Sequence, residues 1–482
     1  MQRALEILVP ATSWILITMP LWLSFWHPAI VAYLIITFDV YWFYKSFRLA
    51  IHAIKSFLML TAHIKVDWAA IAAKTPGFDG VYQVVIIPEY NEPAHILART
   101  LENLMKQDFP KERTIVVLAT EGKDPNAHEA AVIATREYGH KFGRFLVTTH
   151  ILKVGEVAGK SSNMAHAGKE LVSALGRWKI PIEHTLVTSC DADALLHPKY
   201  LSCLAYTYLT DPEKGYHFYQ GAILFYTNIW RVPLPSRVLN TIGSIWNLAL
   251  LSQRGGFINF STYSAPLKTV AEAGYWSADV IPEDYHLFFK VYFHLGEKVQ
   301  TKGIFLPTLV DAAESQGFFR TMINQYEQSK RWAWGVSDIP YVIQGVFAHH
   351  KIPLSDRMKR LVAILEHHIF WPANWFILTV GSILPPLVNK EFGRTVLGHN
   401  LSQVSSGILT LSMIFMLVVI IIDWRIKPPR PKEFAAWKLP FLYLQWFTVP
   451  IVSLFLAALP GLDAHTRLML GKRLEYRVTE KM

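Results

Sequence analysis

Two parts of this chain are too apolar to fold in water. Residues 7–26 (ILVPATSWILITMPLWLSFW) form a run of about 20 residues, the length a helix needs to cross the hydrocarbon of a bilayer. The C-terminal part returns to the same composition, whereas the middle reads as an ordinary α/β sequence. Hydrophobic residues make up 52% of the chain and charged residues only 17%, and because the excess sits at the two ends, the pattern is a water-facing domain held between membrane segments.

His27-Pro28 breaks the first run, and residues 29–47 form a second span that ends in the aromatics Tyr41, Trp42, Phe43 and Tyr44, like an interfacial belt. Asp39 inside it reads as an intramembrane functional acid or, preferably, as a hydrogen-bonded packing residue. Lys45, Arg48, Lys55 and Lys65 follow, which places the central domain in the cytoplasm. Residues 48–79 are expected along the membrane surface. After the domain (80–335), an interface helix is expected at 336–361, then spans at 362–388, kinked by Pro372, and at 401–424. The loop 425–438 and the tail 461–482 are both basic. Residues 439–460, interrupted by Pro440, Pro450 and Pro460, are therefore expected as a kinked re-entrant or interfacial element that closes the membrane region 362–460, with the tail cytoplasmic. No cleavable leader is expected ahead of the 1–47 hairpin.

The net charge of +10 fits cytoplasmic loops facing anionic headgroups, and no basic-aromatic module points to nucleic acid. Cys190 and Cys203 are too few for a disulfide framework or a zinc site.

Within the domain, strand patterns at 84–87, 114–120 and 145–152 alternate with helical patterns at 94–107, 126–138 and 164–175 and lead to a fourth strand at Leu186. Strand, loop and helix in repetition predict a parallel sheet wrapped by helices, with the loops that follow the strands on one edge. Farther on, 218–225 reads as an edge strand, 237–253, 285–294 and 317–335 as helices, and 254–267 as a loop lining a cleft.

The fourth strand ends in Asp191-Ala192-Asp193. Two carboxylates there suit Mg²⁺ or Mn²⁺, which a diphosphate would also coordinate; alone, such a pair is more often an Asx-rich turn. It does not stand alone. In order, the chain carries PEYNEP (88–93), Glu121 after the second strand, Gly159-Lys160-Ser161-Ser162-Asn163, the Asp pair, Pro282-Glu283-Asp284, and Gln328-Ser329-Lys330-Arg331-Trp332. Gln328 and Arg331, three apart, share a helical face.

This ordered set resembles the membrane-integrated family 2 glycosyltransferases, the group of cellulose, chitin and hyaluronan synthases and some glycolipid synthases. The resemblance implies an α/β GT-A (Rossmann-like) domain inserted between N- and C-terminal transmembrane helices of a plasma or inner membrane. It implies Asp191 and Asp193 as ligands of the divalent ion and Asp191 as a contact of the donor diphosphate. Asp284 would be the general base, and a base opposite the leaving group implies inversion. Glu92 and Glu121 would contact the nucleotide, Lys160 and Arg331 its phosphates, and Glu283, Gln328 and Trp332 the acceptor. Read without the resemblance, Asp284 is an acid in the first turn of a helix, the Arg-Trp pair an interfacial anchor, and Glu92, Glu121 and Lys160 turn and capping residues. Two positions depart from the family pattern: Glu121 stands for Asp, and Pro282 for Thr. The tail Tyr476-Arg477-Val478-Thr479-Glu480-Lys481 is similar to the F-x-V-T-x-K gating loop of cellulose synthases, with Tyr476, Val478, Thr479 and Lys481 at the motif positions; read alone, it is a basic tail. The spans that follow that loop in cellulose synthases are not expected here.

The expected activity is transfer of a sugar from a nucleotide-sugar, a UDP-sugar by preference, to a growing β-linked polysaccharide. A lipid acceptor is the alternative, and a non-catalytic membrane scaffold with a degenerate nucleotide-sugar domain is the rival from another class.

Overall fold

The structure is a computed structural model that describes residues 2–253, 257–432, 434–474 and 479–480. Two apolar helices, α1 (Gln2–Trp22) and α2 (Pro28–His63), open it. Pro28 takes the first position of α2, where its missing N–H goes unused. The helix does not stop at residue 47. With no Gly or Pro between 29 and 63 to break it, α2 carries straight on through the basic stretch, so the boundary expected at 47/48 falls inside one helix.

The domain's helices are α3 (Trp68–Ala73), α4 (Ala94–Met105), α5 (Ala127–Tyr138), α6 (Lys160–Trp178), α7 (Tyr200–Leu209), α8 (Leu234–Leu250), α9 (Leu267–Glu272), α10 (Glu283–Leu295) and α11 (Phe318–Ala333). Strands β1 (Tyr82–Pro88), β2 (Thr114–Glu121), β3 (Arg144–His150) and β4 (Thr185–Ser189) pair in parallel in the order β3-β2-β1-β4. β1, β2 and β4 are continuous apolar runs because both faces are covered. Val84, Ile86, Val117 and Val187 join the core of Met164, Leu171 and Phe288, while Val85, Ile87, Val116 and Leu186 join that of Leu97, Leu101 and Leu204.

With β5 (Leu195–Leu196), β6 (His217–Leu224), β7 (Tyr263–Pro266) and β8 (Gln300–Leu309), the sheet becomes mixed, in the order β3-β2-β1-β4-β7-β6-β8-β5. β7 runs antiparallel to β4 and β6, and β8 runs parallel to β6. Two expectations are corrected here. The strand near 218–225 is interior, lying between β7 and β8 with every residue buried. The stretch 254–267 is not all loop, since its last residues form β7. The phosphate-type segment also differs: α6 begins at Lys160 directly after Gly159 (φ +148°), so Lys160-Ser161-Ser162-Asn163 is the first helical turn.

Beyond the domain come α12 (Ile339–Ala348), α13 (Leu354–Phe376), a π-helical turn at Ile377–Gly381, α14 (Leu384–Val388), α15 (Lys390–Gly393) and α16 (Val396–Ile426). Residues 362–388 are therefore not one regular span. Helix α13 starts earlier, with Asp356, Arg357, Lys359 and Arg360 in its first turns, and it gives way to the π turn after Pro372, which lacks a backbone donor. Among the described residues, Gln2–Phe25, Pro28–His63, Val396–Ile426 and Leu439–Met469 are long and apolar enough to cross a membrane. Contacts qualify that reading at two places. Along α13, Glu366 meets Lys45 and Tyr41, Phe370 meets Phe38, and Trp375 meets Trp42; farther on, the Asn389 amide reaches the Phe25 carbonyl at 3.5 Å. This segment thus lies against the first half of α2 and the turn before it. Leu439–Met469 starts and finishes at the domain. Trp230 donates to the Pro428 carbonyl (3.0 Å) before it, and near its end Asp463 lies 3.4 Å from Lys330 of α11. In between, it packs first on α8 and then on α11.

Candidate active site

The carboxyl ends of β1, β2 and β4 deliver Glu89, Glu121 and Asp191 to one edge of the sheet, where ligands bind in open α/β folds. Lys160, held at the start of α6, reaches across that edge. Its Nζ lies 2.7 Å from Asp191 Oδ1, 2.7 Å from Glu283 Oε1 and 2.8 Å from the Ser261 carbonyl. Burial alone would lower this lysine's pKa, but Asp191, Glu283 and Asp284 outweigh it and hold the ammonium well above the ordinary lysine range.

Ser261 ties the two acidic sides of the site together. Its hydroxyl donates to Asp191 Oδ2 (2.5 Å) and its backbone N–H to Asp284 Oδ2 (2.8 Å), from a left-handed backbone at φ +57°. Asp284 also accepts the Tyr285 N–H at 2.8 Å. Beneath it, Tyr263 donates to Glu283 Oε2 (2.8 Å) and receives the Trp276 indole N–H (2.7 Å). Burial raises the pKa of Asp284 and pushes Glu283 up to about 7, against the pull of Lys160.

The structure thus brings Lys160, Asp191 and Glu283 into direct contact and links Asp284 to Asp191 through Ser261, while the other expected residues make contacts of their own. Asp193 is buried, and its Oδ2 accepts the Asp311 N–H at 3.0 Å. Asp311 in turn pairs with Arg99 (2.6 Å). Glu92 lies in the loop after β1, where its N–H donates to Glu89 Oε1 (3.2 Å). Glu121 is held by His150, whose Nδ1 is 2.8 Å away. On α11, Gln328 is buried and its Oε1 accepts from Gln325 (3.2 Å). Arg331 donates to the Thr479 hydroxyl (2.8 Å), and Trp332 packs on Phe225, just past the end of β6, at 5.5 Å between centroids. Of the tail motif, Tyr476, Val478 and Lys481 lie outside the described residues; Thr479 and Glu480 rest against α11, with Asn324 Nδ2 donating to the Glu480 carbonyl (2.9 Å).

No group of three His, Cys, Asp or Glu side chains among the described residues is arranged to hold a metal ion. Asp191 and Asp193 have the oxygen chemistry for a hard cation, and they fit one whose remaining ligands come from a diphosphate and water.

Several participants escaped the sequence. Ser261 carried only the signal of a polar loop ahead of a strand, Asp311 that of an acid just after one, and His150 that of the last residue of a parallel strand.

Comparison with known proteins identifies the family. The sequence model described as Glycosyl transferase family group 2 matches residues 186–458, and that described as Glycosyltransferase like family 2 matches residues 82–240. Among solved structures, the chain is similar to the mannosyltransferase PcManGT from Pyrobaculum calidifontis in complex with GDP-Man and Mn²⁺. Identity is 17% and the TM-score 0.45, covering 79% of this chain and 100% of that one. It is also similar to S. aureus TarS 1–349 in complex with UDP-GlcNAc, with 12% identity and a TM-score of 0.40, covering 81% and 93%. No curated protein sequence matches it. With the first model spanning more than half of its length, the chain belongs to glycosyl transferase family group 2 and is a glycosyltransferase.

Proposed function

We propose that this enzyme is an inverting, membrane-bound glycosyltransferase whose cytoplasmic domain moves a sugar from a UDP-sugar to a growing β-linked polysaccharide. The observation that carries the reading is the Ser261 bridge, which fixes a donor-side acid, Asp191, and a base, Asp284, on one backbone unit with Lys160 between the acids. Asp284 takes the proton of the acceptor hydroxyl as that oxygen bonds to the anomeric carbon. The bond from that carbon to the phosphate oxygen breaks on the opposite face, and the electron pair leaves with the nucleoside diphosphate. Lys160 and Arg331 stabilise the charge that develops on the diphosphate. Mg²⁺ or Mn²⁺ held by Asp191 and Asp193 would neutralise the same charge. Glu92 and Glu121 contact the nucleotide, Glu283 orients Lys160, and Gln328 and Trp332 shape the acceptor side. Asn324 and Arg331 hold Thr479 and Glu480 against α11, which supports reading the 476–481 motif as a cover for bound nucleotide.

The test is the size of the product. Protein in nanodiscs is given Mn²⁺ and labelled UDP-sugars, and the product is split into organic-soluble and alcohol-insoluble fractions. Insoluble, glycosidase-sensitive label is expected, whereas label confined to the organic phase would replace the polysaccharide with a lipid acceptor. EDTA should abolish the transfer and Mn²⁺ restore it; activity unchanged by EDTA would remove Asp191 and Asp193 from metal binding.

A further inference from the structure

The two acids of the Asp pair are held by different parts of the fold. Asp191 faces Lys160 and Ser261, whereas Asp193 is buried and its Oδ2 accepts the backbone N–H of Asp311 at 3.0 Å. Side chains from two other elements fix that N–H. Arg99 of α4 donates to Asp311 Oδ2 at 2.6 Å, and the Thr227 hydroxyl, just past β6, meets Asp311 Oδ1. The same hydroxyl lies 2.8 Å from the Val310 carbonyl, which belongs to the very peptide unit that carries the Asp311 N–H. Asn228 closes on the next peptide: its Oδ1 accepts the Ala312 N–H (2.8 Å) and its Nδ2 donates to the Ala312 carbonyl (2.9 Å). Helix α4 also holds the Asp pair directly, because the buried Thr100 hydroxyl donates to the Ala192 carbonyl, between the two acids, at 2.6 Å.

We infer that Arg99, acting through Asp311, is a positioning residue that sets the Asp193 carboxylate for the divalent ion. A backbone N–H orients a carboxylate only as firmly as its own peptide is held, and Arg99 and Thr227 supply that hold. Groups that orient a metal ligand without touching the metal change its affinity by about 10- to 100-fold when removed. Charge alone predicts the opposite sign: deleting a cation near a cation site leaves the site more negative and tightens the ion. The direction of the change therefore separates the two roles open to Arg99. The inference rests on the placement of Mg²⁺ or Mn²⁺ at Asp191 and Asp193.

The experiment titrates Mn²⁺ into the full-length protein in nanodiscs with saturating UDP and follows the bound ion by electron paramagnetic resonance. The Mn²⁺ dependence of sugar transfer is measured beside it. Arg99→Ala should weaken Mn²⁺ binding by about tenfold or more. The Mn²⁺ concentration for half-maximal transfer should rise in parallel, with kcat at saturating Mn²⁺ within about threefold of wild type. Arg99→Lys keeps the charge and an N–H donor toward Asp311 and should restore most of the affinity. Thr227→Val removes the hydroxyl without changing any charge; it should weaken Mn²⁺ in the same direction, and it serves if Arg99→Ala fails to fold. Mn²⁺ affinity unchanged or tightened in folded Arg99→Ala, or unchanged in Thr227→Val, would overturn the inference. UDP affinity measured without Mn²⁺ should stay at the wild-type value, and its loss in these variants would overturn the assignment to Asp193 by showing a wider disturbance of the site. Wild-type protein that transfers sugar without binding Mn²⁺ or Mg²⁺ would remove the metal and this inference, while leaving the transfer reaction of the proposed function intact.

Discussion

At the scale of single residues, the site combines acids that differ in how strongly the fold opposes their charge. Asp284 accepts two backbone N–H groups although burial raises its pKa, so replacing it with Asn keeps the shape and removes the proton acceptor. Asp284→Asn should lower the transfer rate by about 10²- to 10⁴-fold, the usual contribution of a general base, with UDP affinity little changed. A rate within about threefold of wild type in purified protein, far inside that range, would show that another group takes the proton. Glu89 makes a different prediction. It is 2% exposed, and burial, reinforced by nearby Asp124, pushes its carboxyl up to about 7 from an ordinary 4.5. A raised carboxyl means that the fold favours the protonated form. Below pH 4.5 both folded and unfolded chains are protonated and Glu89 costs nothing. As the pH climbs to 7, the unfolded chain ionises first and stability falls, by on the order of 3 kcal/mol once the full shift is expressed. Glu89→Gln can still accept the Glu92 N–H without that cost. It should melt above wild type at pH 8 and together with it near pH 4.5; parallel melting curves across that window would show that Glu89 is ionised without penalty.

At the scale of elements, what was legible in the sequence is what local pattern determines. β1, β2 and β4 are fully buried in a parallel sheet, so they appear as unbroken apolar runs, and the motif loops fall on one edge because every parallel strand ends there. β6 and β7 were misread because their places depend on partners distant in sequence: the pairing of Tyr263 with Gln220 and Ser189, not any residue in 254–267, turns that stretch into a strand. The orientation of α11 is likewise non-local. Gln325, fully buried, accepts from Ser236 (3.0 Å) and Asn240 (2.7 Å) on α8 and donates to Gln328 (3.2 Å), so one amide sets the angle at which Gln328, Arg331 and Trp332 are presented. Gln325→Ala leaves two buried groups on α8 without this acceptor and should cost about 1–3 kcal/mol of stability. The rate should fall by about tenfold or more through misplacement of the motif. If Gln325→Ala melts as wild type and works at its rate, some other contact sets the helix angle.

At the scale of the whole molecule, length and apolarity alone choose four crossings, and contacts favour a different four. Gln344 on α12 donates to Gln2 (2.7 Å), and Ile339 and Val342 of the same helix belong to the domain core, so α1 starts at the domain. α2 returns to it, with His63 packed on Phe305. The segment from α13 to α14 then runs outward, although charges in its first turns keep it out of any hydropathy count, and α16 runs back to Asp423, whose carboxylate accepts from Tyr226 of the domain (2.8 Å). Leu439–Met469 is apolar enough to cross but is tied to the domain at both ends, so we place it along the interface, beneath α8 and α11. We therefore propose four crossings, with both described termini on the domain's side. The two native cysteines are buried, which makes introduced ones readable. Gln2→Cys, Lys432→Cys and Lys472→Cys should all react with a membrane-impermeant thiol reagent only in vesicles that expose the cytoplasmic face, and Arg394→Cys only in vesicles of the opposite orientation. Labelling of Lys432→Cys and Lys472→Cys from opposite faces would make Leu439–Met469 a true span. The segment packed on α11 would then be a transmembrane helix rather than a surface one, and the route of the acceptor to Asp284 would have to be redrawn.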